Sequence, residues 1–151
     1  MLKKRVITAL WGLPLLIVIV WFDKPLPWFT IFIAIWGLLA AGEFYRLVGV
    51  SKVLSLTVFG LVFTLLIILS PHCSSPLAAP LLVTLAIVLP LIWLVLRQRV
   101  EGAFPGWVWM VAGIFYVGWL LSLLVALRLE AGRSWVFFAL FTTFGSDTAA
   151  Y

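Results

Sequence analysis

Long apolar stretches alternate with short polar turns along the whole chain. A helix needs about 20 apolar residues to cross the hydrocarbon core of a bilayer, and about 17 is near the lower limit. The pattern therefore predicts about six membrane-spanning helices. Their expected positions are residues 6–22, 28–45, 53–70, 77–96, 107–127 and 134–151.

Prolines and polar residues mark the expected breaks. The stretch from residue 53 to residue 96 contains no charged residue and is too long for one crossing, so the polar segment 70–76 is expected to divide it. Pro90 lies inside the fourth span and is expected to kink it, because proline supplies no backbone donor. The first span ends in Val20–Asp23 rather than in small residues, so it is predicted to be retained and not cleaved as a signal peptide.

Composition gives the same fold class. Of the 151 residues, 66% are hydrophobic and only 10% are charged, whereas a soluble domain is near half apolar and about a quarter charged. Too little polar surface is present to cover a soluble globule. The chain is therefore expected to be all-α, a polytopic transmembrane helical bundle that forms one membrane-embedded region over residues 1–151.

The basic residues indicate topology. The net charge is +5, but these residues are scattered between the apolar stretches, which argues against nucleic-acid binding. Cytoplasmic loops of membrane proteins carry an excess of Lys and Arg. The side of the membrane with more basic residues would carry Lys3, Lys4, Arg5, Arg46, Lys52, Arg97 and Arg99. The opposite side would carry Lys24, Arg128 and Arg133. We expect a cytoplasmic N-terminus and a location in the inner (cytoplasmic) membrane of the cell.

The single cysteine and the single histidine exclude several kinds of site. Cys73 has no second cysteine with which to form an intrachain disulfide or a cysteine zinc site. His72 is its sequence neighbour, and neighbouring side chains point apart, so a catalytic Cys–His pair is not expected. Both residues are expected to lie in a polar loop without a special role.

Two charged residues stand at the end of the second span. Glu43 and Arg46 are spaced i, i+3, which allows an ion pair on one helix face. We expect a solvated pair at the helix end. The alternative is that Glu43 lines an internal polar pocket.

An acid near the end of the chain stands where a lipid-embedded helix would carry Leu or Val. On a helix, Thr143, Asp147 and Tyr151 share one face, with Thr148 beside them. A carboxylate within a span costs roughly 2.5 to 3.5 kcal/mol on insertion scales, so such a residue faces protein or water. Asp147 lies about 20 Å along the helix from Ser134, which places it in the cytoplasmic half of the membrane under the expected topology.

The residues around this acid resemble a known family. Asp147–Tyr151 resembles the D-[ST]-x-A-Y segment of bacterial phosphatidate cytidylyltransferases, the CDP-diacylglycerol synthases. Met1–Leu10 is similar to that family's usual start, and Leu39–Phe44 is similar to its L-A-A-x-E-[WF] segment after the second span. The three matches occur in the family's order and cover essentially the whole chain.

The resemblance implies an enzyme that transfers the cytidylyl group of CTP to phosphatidate with Mg²⁺, giving CDP-diacylglycerol and pyrophosphate for phospholipid biosynthesis. On this basis Asp147 is the expected Mg²⁺ ligand, and Thr148 and Tyr151 are expected to contact substrate phosphate. Two alternatives are equally compatible with these two residues: Thr148 could bond back to the carbonyl of Phe144, and Tyr151 could anchor the helix at the interface.

The family's later elements are a Gly/Lys-rich loop, an S-P-x-K-T segment and a terminal signature with H-G-G, and none of them occurs within these residues. The chain is therefore expected to be truncated before the catalytic C-terminal region and to be inactive alone. Other interpretations are a transporter fragment with Pro90 and Asp147 in an ion or substrate path, and a non-catalytic membrane scaffold. The sequence leaves homo-oligomerisation open.

Overall fold

A computed structural model describes residues 17–21, 27–50, 53–96 and 103–150, without the side chains of Asp147 and Thr148. Secondary structure within these ranges is helical and contains no strand, which confirms the all-α prediction. Residues 17–21 are helical. The helices that follow are α1 (Trp28–Leu47), α2 (Leu54–Leu69), α3 (Ala78–Leu96), α4 (Phe104–Glu130) and α5 (Arg133–Ala149).

Four of these helices have the length and apolarity needed to cross a membrane. They are α1, α2 with its 3₁₀ extension to His72, α3 and α4, and together they confirm a helical membrane bundle. The sixth predicted span corresponds to α5, which has 17 residues. Most of the first predicted span, residues 6–16, lies outside the described residues.

The helix α4 is longer than its predicted span of 107–127 and is irregular in the middle. It has 27 residues and changes to π-helix over Ile114–Trp119. The helix begins before Trp107 because Pro105 lies in its first turn, where a missing backbone donor has no cost. Gly132 follows with a φ of 87°, and this left-handed conformation lets the chain reverse from α4 into α5.

The helix α2 lies at the centre of the bundle and contacts α1, α3 and α4. One cluster of buried side chains joins these helices and includes Tyr45, Leu56, Ile67 and Met110. A second cluster of buried side chains packs residues 17–21 and α5 against α1, α2 and α4, and includes Val20 and Val136. The described helices therefore contain two clusters of buried apolar side chains.

The proline predicted to kink the fourth span, Pro90, is buried inside α3. It removes the donor that the Ala86 carbonyl, four residues earlier, would have in a regular helix. A different carbonyl receives a bond from the neighbouring helix, because the indole Nε1 of Trp107 in α4 donates to the Ile87 carbonyl at 3.1 Å. This bond connects α4 to α3 beside the proline.

The end of α4 and the start of α5 each contribute one arginine that contacts the helical residues 17–21. Arg128 Nη2 donates a hydrogen bond to the Val20 carbonyl at 3.2 Å. The guanidinium of Arg133 lies 4.2 Å above the ring centre of Trp21, in cation–π geometry. Three basic residues were assigned to the side of the membrane with fewer Lys and Arg. Two of them, Arg128 and Arg133, thus have structural contacts.

Candidate functional site

The candidate site lies at the C-terminal end of α5. Short connections make successive helices antiparallel, so this end lies on the same side of the bundle as the C-terminal ends of α1 and α3. Asp147 and Thr148 belong to the last turn of α5, but their side chains are not described, and Tyr151 lies outside the described residues. The grouping of these three residues into one site therefore stays a prediction.

Hydroxyl side chains precede Asp147 on α5, and their hydrogen bonds go to the helix itself. Thr142 Oγ1 donates to the Phe138 carbonyl at 2.8 Å, and Thr143 Oγ1 donates to the Ala139 carbonyl at 2.9 Å. Ser146 Oγ donates to the Thr143 carbonyl at 2.9 Å. Such bonds satisfy polar groups within an apolar environment. Thr143, which shares the predicted face with Asp147, still has oxygen lone pairs that can accept a hydrogen bond.

The second half of α5 is exposed in the described part of the chain. Residues 141–146 are all exposed, whereas Val136 in the first half is buried. The exposed side chains include Phe141 and Phe144. The first half of α5 thus attaches the helix to the bundle, and the second half presents apolar and hydroxyl groups outward.

A metal at this end would need oxygen ligands from more than one source. Within the described ranges no three His, Cys, Asp or Glu side chains are grouped closely enough to hold a metal ion. Mg²⁺ does not require such a group, because it is usually bound through one or two carboxylates together with substrate phosphates and water. A Mg²⁺ site at Asp147 therefore stays a prediction.

The charged pair at the end of α1 is a solvated ion pair, as predicted. Arg46 Nη2 and Glu43 Oε1 are 3.7 Å apart, and their side chains are 74% and 66% exposed. The alternative in which Glu43 lines an internal pocket is wrong, because the side chain points away from the core. Exposed pairs of this kind contribute about 0–1 kcal/mol to stability.

Sequence reasoning overlooked the residue between them. Tyr45 is fully buried, and its hydroxyl donates a hydrogen bond to the Met110 carbonyl of α4 at 3.2 Å. A sequence signal for it exists, since Gly37, Ala41 and Tyr45 follow one another at four-residue spacing on the buried face of α1. Tyr45 thus connects α1 to the first third of α4 through a polar contact.

His72 has a structural contact that its sequence did not reveal. It ends the 3₁₀ turn after α2, and its Nε2 lies 2.9 Å from Thr30 Oγ1 of α1. The expectation that His72 has no special role is corrected to this extent, because the bond joins the loop to α1. Cys73 is exposed, as expected for a polar loop.

Comparisons with known proteins identify one family. The model of the cytidylyltransferase family matches residues 3–151. No curated protein and no solved structure matches the chain. The match extends over all five described helices and includes Asp147.

Proposed function

The chain belongs to the cytidylyltransferase family, and on this premise we propose that the gene product to which it belongs acts as a CTP:phosphatidate cytidylyltransferase in phospholipid biosynthesis. The observation that carries the proposal is the family match over residues 3–151, which include four helices able to cross a membrane. A membrane bundle would give such an enzyme direct access to a lipid acceptor. The same match favours a transferase over a transporter fragment or a membrane scaffold.

The proposed reaction joins two anions at the membrane surface. A phosphate oxygen of phosphatidate attacks the α-phosphorus of CTP, the bond from that phosphorus to the bridging oxygen of the β-phosphate breaks, and pyrophosphate leaves. Mg²⁺, when bound, would supply positive charge that lets the two phosphates approach and would stabilise the leaving group. The products are CDP-diacylglycerol and pyrophosphate.

The chain's own residues would hold the reactants at the end of α5. Asp147 is proposed to bind Mg²⁺, and Thr148 and Tyr151 are proposed to hydrogen-bond substrate phosphate. Support comes from the position of Asp147 on the last turn of a helix whose second half is exposed. A lipid headgroup and a soluble nucleotide can both reach such an end. We further propose that this end faces the cytoplasm at the inner membrane, in line with the basic residues on the same side.

The test follows the two ends of the CTP triphosphate separately. Membranes carrying the complete gene product are supplied with Mg²⁺, phosphatidate and CTP labelled either at the α- or at the γ-phosphate. Cytidylyl transfer predicts that the α-label enters the lipid extract and the γ-label appears in pyrophosphate. Entry of the γ-label into lipid would show phosphoryl transfer instead and would contradict the proposal.

The acceptor is tested in the same assay. Diacylglycerol replaces phosphatidate in a parallel reaction and serves as the matched control, since it has the same acyl chains but lacks the attacking phosphate. Labelling that requires phosphatidate supports the proposed substrate. Labelling that is equal with diacylglycerol would assign a different acceptor.

A further inference from the structure

The π-helical segment in α4 is the least regular part of the described membrane helices. It covers the six residues Ile114–Trp119 in the middle of a 27-residue helix. A π turn contains one more residue than the α turn it replaces, has poorer hydrogen-bond geometry and is rare. A helix that keeps such a turn requires contacts that hold it.

Side-chain hydrogen bonds bracket this segment at both ends. On the N-terminal side, the Met110 carbonyl accepts the Tyr45 hydroxyl in addition to the backbone N–H of Ile114. On the C-terminal side, Ser122 Oγ donates to the Trp119 carbonyl at 2.7 Å. The Tyr45 bond comes from another helix and ties α4 to α1 at Met110, four residues before the π segment begins.

Two glycines, one directly before the segment and one inside it near its end, allow neighbouring helices to approach α4. A Cβ atom on Gly113 would collide with the rings of Tyr45 and Phe44. A Cβ atom on Gly118 would be 3.2 Å from Thr64 Cα of α2. Helix α1 therefore contacts α4 at Gly113, and α2 contacts it at Gly118. At both positions the absence of a side chain lets the neighbouring helix approach closely.

We propose that Ile114–Trp119 is a register hinge in α4 and that Tyr45 latches it. In the latched state the extra residue of the π turn is held at this position. Without the Tyr45 hydroxyl, the extra residue can pass along the helix, and the two halves of α4 can rotate relative to each other. The half of α4 that lies on the side of the candidate site is Phe104–Gly113, which includes Trp107 and its bond to Ile87 of α3. The inference does not depend on the reaction proposed above.

Hydrogen–deuterium exchange of the purified protein in nanodiscs tests the latch. Tyr45→Phe removes the hydroxyl but leaves the ring between its glycines. We expect about fivefold faster exchange over Ile114–Trp119, which corresponds to ~1 kcal/mol for one hydrogen bond. The matched control is Tyr116→Phe, because Tyr116 is 68% exposed on the same segment. Equal rates in Tyr45→Phe and wild type would overturn the latch, and so would faster exchange over every helix.

Single-residue deletions test the hinge by a second route. Deleting Phe115 removes one residue from the π segment and should return α4 to α-helical pitch without rotating its flanking halves. Deleting Leu123 from the α-helical part should rotate them by about 100° and break the packing. We expect a monodisperse protein with slower exchange in the hinge for the first deletion and aggregation for the second. Equal damage from both deletions would overturn the hinge.

Discussion

The ring of Tyr45 occupies the space that a side chain on Gly60 would need: a Cβ atom at position 60 would be 2.6 Å from Tyr45 Cε2. Gly113 of α4 faces the same ring. Tyr45 is fully buried. Three helices thus pack around one aromatic side chain. They can do so because positions 60 and 113 are glycines, which have no side chain to collide with the ring.

The first prediction follows from this contact. Gly60→Ala forces the Tyr45 ring or α2 to move, and overpacking of this kind costs about 1–3 kcal/mol. Gly42→Ala is the matched control, because nothing lies within 4 Å of a Cβ atom at Gly42. Thermal unfolding in detergent should show a lower Tm for Gly60→Ala and an unchanged or slightly higher Tm for Gly42→Ala. Equal Tm values for the two variants would contradict the packing described.

A second prediction concerns the support that α4 gives to α3. Trp107→Phe keeps an aromatic ring but removes the donor to the Ile87 carbonyl, at an expected cost of about 1 kcal/mol. Trp109→Phe is the matched control, because Trp109 lies on the same helix and is 47% exposed. Chemical unfolding should show a lower free energy of unfolding for Trp107→Phe than for Trp109→Phe. Equal values for the two variants would contradict a stabilising role for the indole bond.

The third prediction concerns the arginines that hold residues 17–21. Arg133→Ala removes the cation–π contact with Trp21, and Arg128→Ala removes the hydrogen bond to the Val20 carbonyl. Each should speed hydrogen–deuterium exchange of residues 17–21, by about two- to fivefold. Arg46→Ala serves as the control, because its partner Glu43 is also exposed. Exchange that responds equally to Arg46→Ala would show that these contacts do not hold the segment.

The positions of the helices could be predicted closely from the sequence. Apolar runs bounded by proline and charge give the observed α1, α2 and α3 within a few residues, because burial of the backbone in lipid requires a helix wherever the run is apolar. The Glu43–Arg46 pair was predictable for a similar reason, since i, i+3 spacing sets the distance without help from the fold.

The contacts between helices could not be predicted in the same way. Nothing local in Ile114–Trp119 distinguishes a π turn from an α turn. The contact proposed to hold the extra residue joins Tyr45 to Met110, which are 65 residues apart in the chain. His72 likewise acquires its role only through Thr30 of another helix. The candidate site was located by the exceptional polarity of Asp147 in an apolar helix, whereas its ligand geometry depends on side chains that a local pattern does not fix.

The proposed mechanism depends most on the carboxylate of Asp147. Asp147→Asn keeps the size of the side chain and a carbonyl oxygen but removes the charge that would bind Mg²⁺. Glu130→Gln makes the same chemical change at the opposite end of the bundle, on an exposed residue at the end of α4, and is the matched control.

The most direct measurement is the Mg²⁺-dependent transfer of α-labelled CTP into lipid by membranes that contain equal amounts of each complete gene product. We expect Asp147→Asn to lower the transfer at least about 100-fold, while Glu130→Gln keeps the wild-type rate and both insert normally. Transfer by Asp147→Asn at the wild-type rate would contradict the assignment of Asp147 as the magnesium ligand.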